Sequence, residues 1–179
     1  MMLLAVPLGL MAEGTSWGDA IAIAQGETGS CSLNDDQKDG YFKIEIPEEG
    51  SVKITMTTDG DLNMNWVELY WYKAASDDYS SRESTGWYPE NGKVFEMTDA
   101  GKGTYYLRAQ RRSGKGTCTL KYEFTACPKA NDGEPNDDKG SGDVLVNGET
   151  VEGRLGYKDD SGYRDENDWY KIEVPEDTS

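Results

Sequence analysis

Hard oxygen ligands are the chemistry this chain carries in quantity. Asp132, Glu134, Asn136 and Asp137 place carboxylate, carboxylate, amide and carboxylate within one short segment. Asp165 and Asp168 follow, just ahead of an alternating stretch that opens on Trp169, and Asp160 is close enough in sequence to assist. Calcium takes six to eight hard oxygens at about 2.3–2.6 Å, several of them charged, and these residue types supply them. Pro135 fixes φ in the middle of the segment and limits the entropy lost when the loop orders. Residues 129–179 hold 15 acidic and 6 basic side chains, a net −9 of the chain's −16. Carboxylates gathered at that density repel one another until a cation neutralises them. The competing reading is a solvated acidic linker, or a generally acidic surface suited to a saline habitat.

Other chemistries are excluded by composition. The chain contains no histidine, which removes Ser-His-Asp and Cys-His catalysis, His-ligated zinc and the commonest general base. Its three cysteines show no C-x-x-C spacing, so neither a thiolate zinc site nor a thioredoxin-type pair is expected. No run of about 20 apolar residues offers a membrane span. Acids outnumber bases 34 to 18, which disfavours a phosphate backbone as partner. Two carboxylates alone suffice for glycoside hydrolysis, but among so many acids no pair singles itself out.

Strands must position these residues. The 179 residues, 21 of them glycine and 11% aromatic, suit one small β-domain, or one domain with part of another. Apolar residues alternate with polar ones through Phe42, Ile44 and Ile46, then Val52, Ile54 and Met56, then Val67, Leu69 and Trp71. Val94 or Phe95 with Met97 comes next, followed by Tyr105, Leu107 and Ala109, and by Cys118, Leu120, Tyr122 and Phe124. Turn residues separate the runs, and no helical period competes, so an antiparallel sandwich is expected, with no helix beyond a turn or two.

The chain also repeats itself. The stretch from Lys43 to Glu49 recurs from Lys171 to Asp177, and Gly26-Glu27-Thr28 recurs as Gly148-Glu149-Thr150. This predicts a complete unit over residues 17–127, then a linker and partial second repeat over 128–179 that cannot close a core of its own. Residues 1–16 form a lead-in whose apolar first part reads as a secretory signal lacking its basic region, against a buried N-terminal strand or a gene start placed too late.

Glu134-Pro135-Asn136-Asp137, the Gly148-Glu149-Thr150 and Gly153 strand, and Asp165, Asp168-Trp169-Tyr170-Lys171-Ile172 together resemble the bacterial pre-peptidase C-terminal domain. That family's later signatures stand in the first unit as Gly103-Thr104-Tyr105-Tyr106-Leu107 and Gly116-Thr117-Cys118-Thr119-Leu120. The resemblance implies a jelly-roll-like β-sandwich without catalytic activity, attached to exported enzymes. It implies Ca2+ at the domain entrance, with Glu134, Asn136, Asp137, Asp165 and Asp168 at the calcium-binding positions. The first unit departs from the pattern: Gln37 and Gly40 stand opposite Asp165 and Asp168, so a site there is expected to be lost. Some relatives bind collagen, but Gln110 and Arg112 replace the tyrosines that such members carry.

Two further expectations concern aromatics and cysteines. Trp66, Tyr70 and Tyr72 share a strand parity opposite to Val67 and Leu69, so they form either an exposed row for stacking sugars or a face packed beneath the following loop. Tyr79, Trp87 and Tyr88 would extend such a row. In an exported chain, three cysteines suggest one disulfide and a spare thiol. Cys31 and Cys118 both face inward on the first and last strands and are the preferred pair, ahead of Cys31 with Cys127 and of three reduced thiols. The function that fits is a secreted or cell-surface accessory module, calcium-stabilised between its units. Its partner would be a polysaccharide or protein polymer, or the catalytic domain of a parent protein. A carbohydrate-binding module is the alternative.

Overall fold

The structure, a computed structural model, describes residues 13–71, 82–84, 93–129, 132–157 and 164–174, without the side chains of residues 65, 66, 71 and 82–84. The apolar leader, Tyr72, Tyr79, Trp87, Tyr88 and Asp160 therefore lie outside the described residues, as does the Trp66 side chain. The period-two runs become strands β1 (Ile21–Ile23), β2 (Thr28–Leu33), β3 (Asp39–Ile46), β4 (Gly50–Thr58), β5 (Asn63–Trp71), β6 (Arg82–Ser84), β7 (Lys93–Ala100), β8 (Gly103–Ser113) and β9 (Gly116–Ala126). They make two sheets, ordered β1-β3-β8-β5-β6 and β2-β9-β4-β7. A three-residue 3-10 turn at Trp17–Asp19 is the one helical element among the described residues.

The winding is that of a jelly roll. β2 pairs with β9, β3 with β8, β4 with β7 and β5 with β6, all antiparallel, so the chain folds as one long hairpin wound across two sheets. Alternation explains the layering. β3 buries Gly40, Phe42, Ile44 and Ile46, while β4 buries Gly50, Val52, Ile54 and Met56. These meet Leu107, Leu120, Tyr105 and Tyr122 in one continuous core. Each fully buried side chain of this size contributes about 1.5–3 kcal/mol. One pair in the first unit departs from the antiparallel expectation. β1 runs parallel to β3, with Ile21 opposite Phe42, because β2 lies in the other sheet and returns the chain in its original direction.

The β8–β9 turn depends on glycine. Gly114 has φ +79°, and a Cβ there would come within 1.6 Å of the Asp61 carbonyl oxygen. Gly114→Ala is therefore expected to lower the unfolding free energy by about 2–3 kcal/mol. Urea denaturation measures this, and an unchanged midpoint would show that the turn repacks.

On the outer face of β5, Tyr70 takes the packed alternative and not the exposed row. Tyr70 is buried, 1% exposed, and presents no ring to a ligand. The reason is a second layer of packing. Trp17 lies edge-on to Tyr41, Tyr70 and Tyr106, at centroid distances of 4.6, 4.9 and 5.9 Å. Glu68 is ion-paired to Arg108 and accepts a 2.8 Å hydrogen bond from the Tyr70 hydroxyl. The basic residues nearby are likewise paired: Arg111 donates to Asp35 at 2.8 Å and to the Gly114 carbonyl.

The second unit repeats the opening move of the first. β10 (Asp143–Leu145) and β11 (Tyr170–Ile172) pair in parallel, with Asp143 opposite Tyr170. Ile172 and Val174 are 73% and 82% exposed, whereas their counterparts Ile44 and Ile46 are 1% and 2% exposed. The difference is the facing sheet, whose Val52, Ile54, Leu120 and Tyr122 share a core with Ile44 and Ile46 and which has no equivalent over β11 among the described residues. Polar contacts hold this pair to the sandwich. Arg154 bridges to Glu49 at 2.8 Å, Arg164 pairs with Asp99, and the Tyr157 hydroxyl hydrogen-bonds the Cys127 sulfur.

Candidate metal centre

Two short segments build the site. The loop from Asp132 to Asp137 lies against the stretch from Asp165 to Trp169, and the Trp169 amide donates to the Asn136 carbonyl at 2.9 Å. The Asn136 amide nitrogen of the backbone donates to Glu134 at 3.1 Å, and its side chain donates to Asp132 at 3.0 Å. Asn136 is fully buried, which is rare for a polar side chain and means that the loop is folded around it.

Asp132, Glu134 and Asp168 each bring a carboxylate oxygen to within 4.8 Å of the others. Asp132 was in the acidic segment but not among the expected ligands. The Tyr170 hydroxyl, at the start of β11, donates to Asp132 and turns it inward. The spacing Asp132, Glu134, Asn136 is the sequence signal that could have included it. Asp165 and Asp137 join the same field, since both raise or share the charge repulsion felt at this point.

The electrostatics are those of a cluster short of positive charge. Burial, then the charges of Glu134, Asp168, Asp137 and Asp132, pushes the Asp165 carboxyl up to about 6. Asp168 is raised as well, first by burial and then by Asp132 and Glu134. A carboxyl raised in the folded state binds its proton more tightly there than in the unfolded chain. Its ionisation costs stability as pH climbs from about 4 through about 6.

Four oxygens define what the site lacks. Asp132 Oδ1, Asn136 Oδ1, Asp165 Oδ1 and Asp168 Oδ1 are buried and have no hydrogen-bond partner. Buried acceptors are ordinarily satisfied, and each orphan costs about 1–3 kcal/mol. Gly153 leaves room beside them: a Cβ there would lie 2.7 Å from Asp168 Oδ2 and 2.9 Å from Asp132 Oδ2. Hard, partly charged oxygens around a space kept open by glycine suit a calcium ion better than a transition metal.

The first unit has the same backbone without the acids. The Tyr41 amide donates to the Gly14 carbonyl at 2.9 Å, as Trp169 does to Asn136. Gly14, Thr15, Gln37 and Gly40 thus stand where the second unit has Asn136, Asp137, Asp165 and Asp168. Of the acids nearest these positions in sequence, Asp39 accepts from the Gln110 side chain at 3.1 Å.

The expected Cys31–Cys118 bond is not formed in this structure, where both residues are buried thiols. They stand directly opposite one another on β2 and β9. The Cys118 thiol is in hydrogen-bond contact with Cys31, and that contact, then burial, pushes its pKa up.

No protein-family model matches this chain, and no curated protein does. Among solved structures, the chain is similar to the pre-peptidase C-terminal domain of a collagenase from Bacillus anthracis, at 21% identity and a TM-score of 0.44, over 58% of this chain and 94% of that domain.

Proposed function

We propose that this chain is a non-catalytic accessory or adhesion module of an exported bacterial protein, with calcium held where the linker meets the second unit. Four buried, unpartnered oxygens, on Asp132, Asn136, Asp165 and Asp168, carry the reading, with the Asp132 and Asp168 carboxylates set against Gly153. Calcium would neutralise the cluster and accept those oxygens as ligands. Asp132, Glu134, Asn136, Asp137, Asp165 and Asp168 supply the donors, and Tyr170 and the Trp169 amide hold the two segments in register. Arg154 and Arg164 adjoin Gly153 and Asp165 and contact the sandwich, so ordering the site also orders the contacts between the units. A module fixed in this way presents a set orientation to its partner, an extracellular polymer or the catalytic domain of a parent protein.

Calorimetric titration of chelator-treated protein with calcium chloride tests the metal. One binding event is expected, and it should vanish in the Glu134→Gln, Asp168→Asn double variant. No heat in the parent chain, or heat that survives both substitutions, overturns the assignment. Turnover of chromogenic glycosides or peptides by the purified chain would overturn the non-catalytic part.

A further inference from the structure

The two units place a small and a large residue face to face at one point of the same scaffold, with the roles exchanged. Ile21 pairs with Phe42 in the first unit as Asp143 pairs with Tyr170 in the second, offsets of 122 and 128 residues. The turns after β1 and β10 match too. Glu27 donates to Ala24 and Glu149 to Val146, each at 3.0 Å, beside Gly26 and Gly148 at φ +83° and +86°. By these offsets Cys31 corresponds to Gly153, and Gly40 to Asp168. In the second unit, Gly153 faces the Asp168 carboxylate at the cation site. In the first, Gly40 faces Cys31, and a Cβ on Gly40 would come within 2.2 Å of the Cys31 sulfur. A thiol thus fills the place that carboxylates hold in the second unit.

That thiol has a partner. Cys31 and Cys118 are cross-strand neighbours, 5% and 0% exposed. Antiparallel neighbours have Cα atoms roughly 4.5–5.5 Å apart, inside the range of about 4.4–6.8 Å that a disulfide spans. We propose that Cys31 and Cys118 are a disulfide site, a covalent clamp in the first unit at the position where the second unit gathers its acids. Each thiol gives up its proton and one electron as the sulfur–sulfur bond forms. The electron pair passes to a small oxidised disulfide such as oxidised glutathione, whose own bond breaks to leave two thiols. The clamp acts at an edge of the sheet. β2 is the edge strand of its sheet and pairs there with β9 alone.

The test is refolding of the chelator-treated chain in a mixture of oxidised and reduced glutathione, then acid quenching, alkylation under denaturant and peptide mass spectrometry. Chelator keeps the outcome independent of the metal. The expected result is alkylation of Cys127 alone, with a cross-linked peptide containing Cys31 and Cys118. Reductant should then lower the thermal midpoint by about 10 °C, and a Cys31→Ala, Cys118→Ala variant should lose that response. Three alkylated thiols, or a cross-link through Cys127, overturns the proposal. If the double variant fails to fold, the parent chain with and without reductant still decides it.

Discussion

Gly153→Ala is expected to weaken calcium binding by about 10–100-fold without changing any charge or any proposed ligand. The methyl carbon would sit 2.7 Å from Asp168 Oδ2 and within 3.0 Å of both Asp132 oxygens, closer than such atoms approach. The neighbours that must move are the carboxylates themselves, and two of the buried unpartnered oxygens belong to them. The consequence is readable as stability. At 100 times the parent dissociation constant, calcium stabilises the folded chain by about 2.7 kcal/mol. A variant bound 100-fold more weakly gains only about 0.4 kcal/mol at the same concentration. Calorimetric titration gives the affinity, and thermal unfolding with and without calcium gives the linkage. Unchanged affinity would mean that the acids near Gly153 are solvated charge and not a site.

Glu68→Ala is expected to cost about 3–5 kcal/mol of unfolding free energy, because it breaks a buried ion pair. The Glu68 and Arg108 side chains are 1% and 8% exposed, so removing the carboxylate leaves a guanidinium in a poorly hydrated layer. The Tyr70 hydroxyl loses its acceptor in the same step. Replacing both charges, as Glu68→Leu with Arg108→Met, should recover most of the loss, because neither charge then stays buried alone. Urea unfolding of the two variants separates these outcomes. A cost below about 1 kcal/mol for Glu68→Ala would mean that water reaches Arg108. The same layer explains why Tyr70 is unavailable for stacking a sugar: it is packed against Trp17.

Much of this architecture is legible in local sequence. Period-two alternation marks β3, β4, β8 and β9 because a half-buried strand must send successive side chains to opposite faces. The repeated Lys-Ile-Glu stretch and the paired Gly-Glu-Thr turns reveal the second unit, and the acids from Asp132 to Asp168 mark out a place for a cation. Alternation does not say whether the second face of a strand gains its own cover. Glu68 and Tyr70 are buried on β5, and Trp17, about 50 residues earlier, packs edge-on against the Tyr70 ring. Nor does it reveal β1, whose three residues are too few for a period and which exists through its ladder with β3. Asp132 joins Glu134 and Asp168 because Tyr170 reaches across from β11, and Gly153 leaves space for them from a third segment. Cys31 and Cys118 meet because β2 and β9 share a register. The sequence by itself thus determined which residues point the same way along each strand, since that depends only on backbone geometry. Tertiary structure decided which of them meet, since every such contact joins chain segments whose separation no local period records.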